Sequence, residues 1–274
     1  MTSTTPVTSR TLTVPDGSLY YEVRGSGPLL AFVGSPMDSV PFIPVADLLA
    51  SDFTVLTLDP RGHGKSIVND REQDSTPELR ADDLARIIAD LDAGPAIVIG
   101  SSGGAITGLA LALYRPEVMT TLIAHEPPLR ELLDDRAELR AEGEDITATY
   151  LAGDRISAIR RFIASTGLTM PEAVFEHLFG GERTPEQLAD ERFFYVHELP
   201  YASWRPDLDG LRATSTRIII GIGDTSTDLF CDRTSRALGA ALDIEPTMFP
   251  GDHTGFMEDP EAFAKRVREV LQDN

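Results

Sequence analysis

Ala96-Ile97-Val98-Ile99-Gly100-Ser101-Ser102-Gly103-Gly104-Ala105-Ile106 is the stretch whose reading decides the fold. An apolar run leads into Gly-x-Ser-x-Gly, and a small-residue apolar segment follows. The pattern predicts a buried strand that stops abruptly, a sharp turn, and a helix that starts at once. Such a turn lifts Ser102 above the strand tip on a strained backbone. Gly100 and Gly104 suit a place where strand and helix pass too close for side chains. A serine held there is a nucleophile in need of a base. The same five residues could also form a plain glycine-rich turn, so the rest of the chain must supply the partners.

The 274 residues suffice for one large α/β domain with an insertion, or for two small domains. Hydrophobic content of 42% and charged content of 25% are those of an ordinary globular protein. No apolar run approaches the roughly 20 residues of a membrane helix. The start, Met1-Thr2-Ser3-Thr4-Thr5-Pro6, lacks a basic-then-apolar export pattern, so a cytoplasmic protein is expected. The formal net charge of -20 disfavours nucleic acid and anionic membrane as partners, since both are polyanions. Lysine is confined to Lys65 and Lys265, and arginine carries the positive charge. The single cysteine, Cys231, excludes an internal disulfide and a cysteine-based metal cluster.

Around the opening stretch, strands and helices alternate. Leu19 to Val23, Leu29 to Val33, Phe53 to Leu58, Thr121 to Ala124 and Arg217 to Gly221 read as further strands. Most are continuous apolar runs, the mark of strands buried on both faces. Helical patterns cover Pro77 to Leu91, Ala105 to Tyr114, Phe230 to Leu242 and Pro260 to Leu271. Asp259-Pro260-Glu261 is a strong helix start, with a cap, proline at the first position and acid in the first turn. The order predicts a doubly wound, mostly parallel α/β sheet flanked by helices. One section breaks the alternation. Residues 127–211 carry no strand signal, only helical stretches at Leu129 to Tyr150, Asp154 to Ser165, Pro171 to Phe179 and Pro185 to Leu199. They are expected to form a helical cap inserted into a core made of residues 1–126 and 212–274.

Three further motifs accompany the Ser102 turn in order. They are Gly34-Ser35-Pro36 after a buried strand, Asp59-Pro60-Arg61-Gly62-His63-Gly64-Lys65-Ser66, and Phe249-Pro250-Gly251-Asp252-His253-Thr254-Gly255-Phe256. With them the chain resembles the α/β-hydrolase fold superfamily, of the capped, cofactor-free serine hydrolase type, over essentially its full length. The resemblance implies a catalytic triad. Ser102 matches the nucleophile, and His253 matches the base, because it lies last in chain order in a loop between a strand and the final helix. His63 falls in a turn that is structural in similar proteins. His177 and His197 fall on cap helices, and His125 stands beside Glu126 at a strand end as the alternative base.

The acid stays open at this point. In most relatives it follows the strand after the cap, in a Gly-x-x-Asp pattern. In Gly221-Ile222-Gly223-Asp224-Thr225-Ser226-Thr227-Asp228, alignment on Gly221 selects Asp224, whereas alignment on Gly223 puts Ser226 there. Other relatives carry the acid one strand earlier, which here is Glu126 in Ala124-His125-Glu126-Pro127-Pro128. The second alignment ranks Glu126 first, Asp224 second and Asp228 third. The resemblance further implies an oxyanion hole from the backbone N–H groups of Ser35 and Gly103, with the Ser35 hydroxyl as a possible extra donor. Relatives usually have His-Gly where this chain has Val33-Gly34. Met37, Phe42, Leu129, Phe194, Tyr195 and Trp204 are candidates to wall an apolar substrate pocket.

Competing signals fail. Gly64-Lys65-Ser66 lacks the leading glycine of a phosphate loop, since position 59 is Asp59. Gly221-Ile222-Gly223 lacks the third glycine of a dinucleotide loop. No cofactor or metal is implied, and a small molecule is the expected partner. The resemblance points to an esterase-like hydrolase acting on an ester, lactone or thioester with an apolar part. Similar scaffolds also serve perhydrolase, lyase, C–C hydrolase and cyclase chemistry, or act as small-molecule receptors.

Overall fold

The computed structural model describes residues 6–272. Nine strands form one sheet: β1 Val7–Val14, β2 Gly17–Gly25, β3 Leu29–Val33, β4 Thr54–Leu58, β5 Ile67–Val68, β6 Ala96–Ser101, β7 Met119–His125, β8 Arg217–Gly223 and β9 Thr247–Phe249. Their order is β1-β2-β4-β3-β6-β7-β8-β9, with the short β5 paired to β2. The pairs of β2 with β1, β4 and β5 are antiparallel, and every pairing from β4 through β3 to β9 is parallel. This is the mostly parallel, helix-flanked sheet expected from the alternation.

The apolar strands divide their side chains between two cores, because successive residues of a strand point to opposite faces. Ala31, Val33, Val98 and Leu122 enter one core, together with Leu84 of α2 (Pro77–Leu91), Leu109 of α3 (Gly103–Tyr114) and Leu238 of α9 (Phe230–Leu242). Leu30, Phe32, Ile99 and Ile123 enter the other, with Val45 of α1 (Ile43–Leu49), Phe256 of α10 (Gly255–Glu258) and Phe263 of α11 (Pro260–Gln272). Neither β1 nor α1 is visible in the sequence pattern. Six of the eight β1 residues are exposed at the sheet edge, so the strand has no apolar run to announce it.

Between β7 and β8 the chain is helical: α4 Arg136–Leu151, α5 Arg155–Thr166, α6 Glu172–Phe179, α7 Pro185–Phe193 and α8 Leu208–Ala213. These helices have a core of their own around Ile146, Ile159, Phe175, Phe194 and Tyr195. Two details differ from the sequence reading. The helix expected from Leu129 is a short 3-10 turn at Arg130–Leu132, a break, and only then α4. The helix expected over Pro185 to Leu199 stops at Phe193 and loosens into a π-helical turn, Phe194–Glu198. Pro200 follows one residue after Leu199 and has no N–H to continue the ladder. No helix among the described residues is long and apolar enough to cross a membrane.

Candidate active site

The strand tips of β6, β7 and β8 and the loop after β9 meet at one edge of the sheet. At the tip of β6, Ser102 has φ 57° and ψ -123°, a conformation forced by the turn between strand and helix. A Cβ on Gly104 would stand 1.9 Å from the Val33 carbonyl oxygen, and one on Gly100 would stand 2.4 Å from the Gly104 carbonyl oxygen. Only glycine fits at either place. The Ser102 N–H donates to the His125 carbonyl oxygen at 3.0 Å, which ties the elbow to the adjacent strand.

Glu126 follows β7 directly, at φ 51° and 1% exposure. Its Oε2 accepts from His253 Nδ1 at 2.7 Å, and its Oε1 accepts from the Gly223 N–H at 2.9 Å. Its own N–H donates to the Gly221 carbonyl oxygen at 2.9 Å. The carboxylate is thus clamped between two strand ends and aimed at the imidazole. Since a carboxylate only accepts, His253 carries its proton on Nδ1 and leaves Nε2 free as a base. Among the described residues no hydrogen bond joins the Ser102 hydroxyl to the His253 ring, a contact that often tightens only with substrate bound.

A model of the alpha/beta hydrolase family matches residues 29–266. The chain belongs to the alpha/beta hydrolase family. It is 32% identical over 274 residues to an uncharacterized hydrolase, YraK, of Bacillus subtilis (strain 168), covering 97% of each chain. It is also similar to a zearalenone hydrolase of Bionectria ochroleuca, 26% identical over 282 residues, covering 97% of this chain and 98% of the relative. Among solved structures, an esterase from Exiguobacterium antarcticum superposes with a TM-score of 0.76 at 18% identity, covering 97% of this chain and 100% of that one. The protein is an α/β-fold hydrolase.

The electrostatics of this hydrolase centre on Glu126 and His253. Burial alone would raise the Glu126 carboxyl, but the hydrogen bond from His253 and the nearby histidine rings bring it down to about 2. Ser226, fully buried beside it, acts in the same direction. For His253, burial favours the neutral ring, while the Cys231 sulfur and Glu126 favour the cation, and the net direction is upward. The other two candidate acids lie elsewhere. Asp224 is exposed and its Oδ1 accepts from the Gly251 N–H at 3.0 Å, so it braces the loop that carries His253. Asp228 is exposed at the start of the α9 region, with its N–H donating to Asp232 at 3.0 Å.

The remaining histidines of this α/β hydrolase separate by burial and partner. His125 is fully buried against Phe249, Phe256 and Phe263, with neither ring nitrogen hydrogen-bonded, and burial lowers it to about 4. His177 is exposed. His197 is buried and bonded through Nδ1 to Asp74 at 3.1 Å. The Ser35 hydroxyl, considered above as an extra oxyanion donor, instead donates to Glu198 of the helical segment between β7 and β8. A carboxylate is a strong acceptor, and its hydrogen bond turns the hydroxyl's O–H toward Glu198.

The six pocket candidates fall into separate packing groups. Phe42 stacks on Phe32 and Phe256 in one core, with Met37 packed against the same cluster. Leu129 lies fully buried in the other core, where Trp204 also packs while its indole N–H donates to Glu78 at 2.9 Å. Phe194 and Tyr195 belong to the helical segment's own cluster, Tyr195 stacked on Tyr150.

Two neighbours of the site were not anticipated. Cys231, the second residue of α9, lies beside His253, and its sulfur and the donor atoms of Glu126 and His253 are all within 4.8 Å of one another. Both Glu126 oxygens already accept hydrogen bonds, so the three residues read as a hydrogen-bonded site more than a ligand set. No sequence pattern flags Cys231, because its neighbour is fixed by how α9 packs. Glu198 is the second, for the same reason.

Proposed function

We propose that this hydrolase cleaves an ester, lactone or thioester through an acyl-enzyme, with Ser102 as nucleophile and His253 as base. The observation that carries the reading is the 2.7 Å Glu126–His253 hydrogen bond at the strand tip next to the Ser102 elbow. Nε2 of His253 takes the Ser102 proton as Oγ attacks the carbonyl carbon, and returns it to the leaving oxygen or sulfur. Water then attacks the acyl-enzyme, His253 again taking the proton. Glu126 holds the ring in the Nδ1–H tautomer and stabilises the imidazolium. The N–H groups of Gly103, at the first residue of α3, and of Ser35 are the donors for the developing oxyanion. No cofactor takes part in these steps.

In this reading residues 127–211 act as a lid that selects a small to medium apolar substrate. A net charge of -20 supports an uncharged small-molecule partner over polyanions, and a cytoplasmic setting is the simplest one for the chain. The test pairs two measurements. A serine-directed fluorophosphonate should label the wild type and leave Ser102→Ala unlabelled, and a p-nitrophenyl ester should be hydrolysed by the first only. Equal labelling of both proteins would refute the nucleophile. Labelling without turnover of any ester, lactone or thioester would favour a receptor or another triad chemistry.

A further inference from the structure

A second buried carboxylate reaches the catalytic edge, and it comes from the cap. Glu198 ends the π-helical turn Phe194–Glu198, is 5% exposed, and uses both oxygens. Oε1 accepts from the Ser35 hydroxyl, and Oε2 accepts from His63 Nε2 at 2.7 Å. Ser35 and His63 are themselves buried, at 2% and 4% exposure. The residue before it is tied down as well: the His197 carbonyl oxygen accepts from the Ser75 N–H at 2.8 Å.

Ser35 lies against the residue that shares its proposed task. A Cβ on Gly103 would stand 2.6 Å from the Ser35 carbonyl oxygen and 3.2 Å from its Oγ. The side chain gripped by Glu198 is therefore that of a proposed oxyanion donor, in contact with the other donor. We propose that Glu198 is a positioning residue: by gripping the Ser35 hydroxyl and the His63 ring together, the cap holds the oxyanion loop in its working geometry. The proposal rests on the reading of Ser35 as an oxyanion donor.

Simple docking of cap on core gives no reason for this arrangement. A buried carboxylate carries a desolvation cost that an apolar contact avoids, and the cap already has an apolar core. The group is ionised all the same: burial opposes this, but His63 and the fully buried Arg80 outweigh it and lower the carboxyl below its ordinary range. What an ion in that place adds is direction. It fixes the Ser35 side chain, and with it the plane of the peptide whose N–H faces the oxyanion. Misplacement of a catalytic group by ~1 Å can cost on the order of 10²-fold in rate.

The test compares Glu198→Ala, Glu198→Gln, Ser35→Ala and the Glu198→Ala/Ser35→Ala double variant. Glu198→Ala should lower kcat about 10- to 100-fold with KM changed less than about threefold, because the oxyanion exists only in the transition state. Glu198→Gln should recover to within about fivefold, since its amide oxygen accepts from Ser35 and its N–H donates to the other tautomer of His63. Ser35→Ala should match Glu198→Ala, and the double variant should be no worse than either, as expected for one shared interaction. Ser35→Ala deletes only a hydroxyl, so the test stands even if Glu198→Ala does not fold. Hydrogen exchange of the peptide spanning residues 33–39 gives a readout independent of turnover and should quicken in Glu198→Ala and in Ser35→Ala.

Unchanged exchange would overturn the tether. Faster exchange with unchanged kcat would overturn its catalytic consequence, as would a loss confined to KM or additive losses in the double variant. Should Ser102→Ala keep full activity, the serine mechanism fails and the exchange data still decide whether Glu198 holds the loop.

Discussion

The molecule contains two serine, histidine and glutamate clusters, and the order of groups differs between them. In each, a buried carboxylate and a histidine ring nitrogen lie 2.7 Å apart. Glu126 bonds His253 through Nδ1 beside the Ser102 elbow, and in the proposed mechanism Nε2 is the atom that serves the serine. Glu198 stands between Ser35 and His63 and itself accepts the hydroxyl's hydrogen bond. A carboxylate in the middle anchors a serine; an imidazole in the middle activates one. Residue types alone do not distinguish the two clusters. The elements that carry them do, since Glu126 stands at the tip of β7 and His253 in the loop after β9, while Glu198 arrives from the helical segment between β7 and β8.

The first expected contrast is between the serines. Ser102→Ala should lose kcat on the order of 10³-fold or more, whereas Ser35→Ala should lose about 10- to 100-fold, both measured on a p-nitrophenyl ester. Similar losses in the two would erase the distinction between nucleophile and anchor.

The carboxylates come next. In Glu126→Gln the side-chain oxygen stays with the Gly223 N–H, which turns the amide N–H toward His253 and selects the wrong tautomer. A loss approaching ~10⁴-fold in kcat is expected. Asp224→Asn keeps an oxygen for the Gly251 N–H and should change kcat less than about twofold. A dead Asp224→Asn beside a silent Glu126→Gln would transfer the triad acid to the loop after β8.

The pH profile sharpens the first cluster. His253 is raised above its ordinary value, and only the neutral ring is a base. Hence kcat/KM should fall as pH drops through an apparent pKa above ~6.5, and in Cys231→Ala this acid limb should move to lower pH. An acid limb unmoved in Cys231→Ala would remove Cys231 from the electrostatics of the base.

The smallest effect concerns His125, which belongs to neither cluster. Buried neutral, His125 is lowered to about 4, so the unfolded chain binds a proton that the folded one refuses between about 6.5 and about 4. Stability should decline as pH falls through that window, and His125→Leu should flatten the decline in chemical denaturation while leaving esterase activity within about threefold. An unchanged slope would mean that other groups carry it.

Much of the first cluster was legible in the chain. The elbow needs glycine at 100 and 104 because backbone oxygens lie where a Cβ would go, and a five-residue pattern records that. His253 shows itself by standing between the last strand and the last helix. The carboxylate partner of His253 was only half legible: two alignments of Gly221 and Gly223 gave different residues, and the choice turned on which strand tip faces the ring. The second cluster left no trace. Ser35, His63 and Glu198 are separated by up to 163 positions, and no local pattern relates them.

Local order along the sequence therefore determined the α/β alternation, the elbow, the place of His253 and the helical character of residues 127–211. Each depends on short-range rules: apolar runs for buried strands, glycine where backbones cross, caps at helix starts. The tertiary structure alone decided that Glu126 and not Asp224 faces His253, that Cys231 lies beside the ring, and that Glu198 grips Ser35. These contacts depend on how strand tips stagger and how the helical segment between β7 and β8 packs against the sheet. Such geometry arises from packing between elements far apart in the chain, and no run of neighbouring residues encodes it.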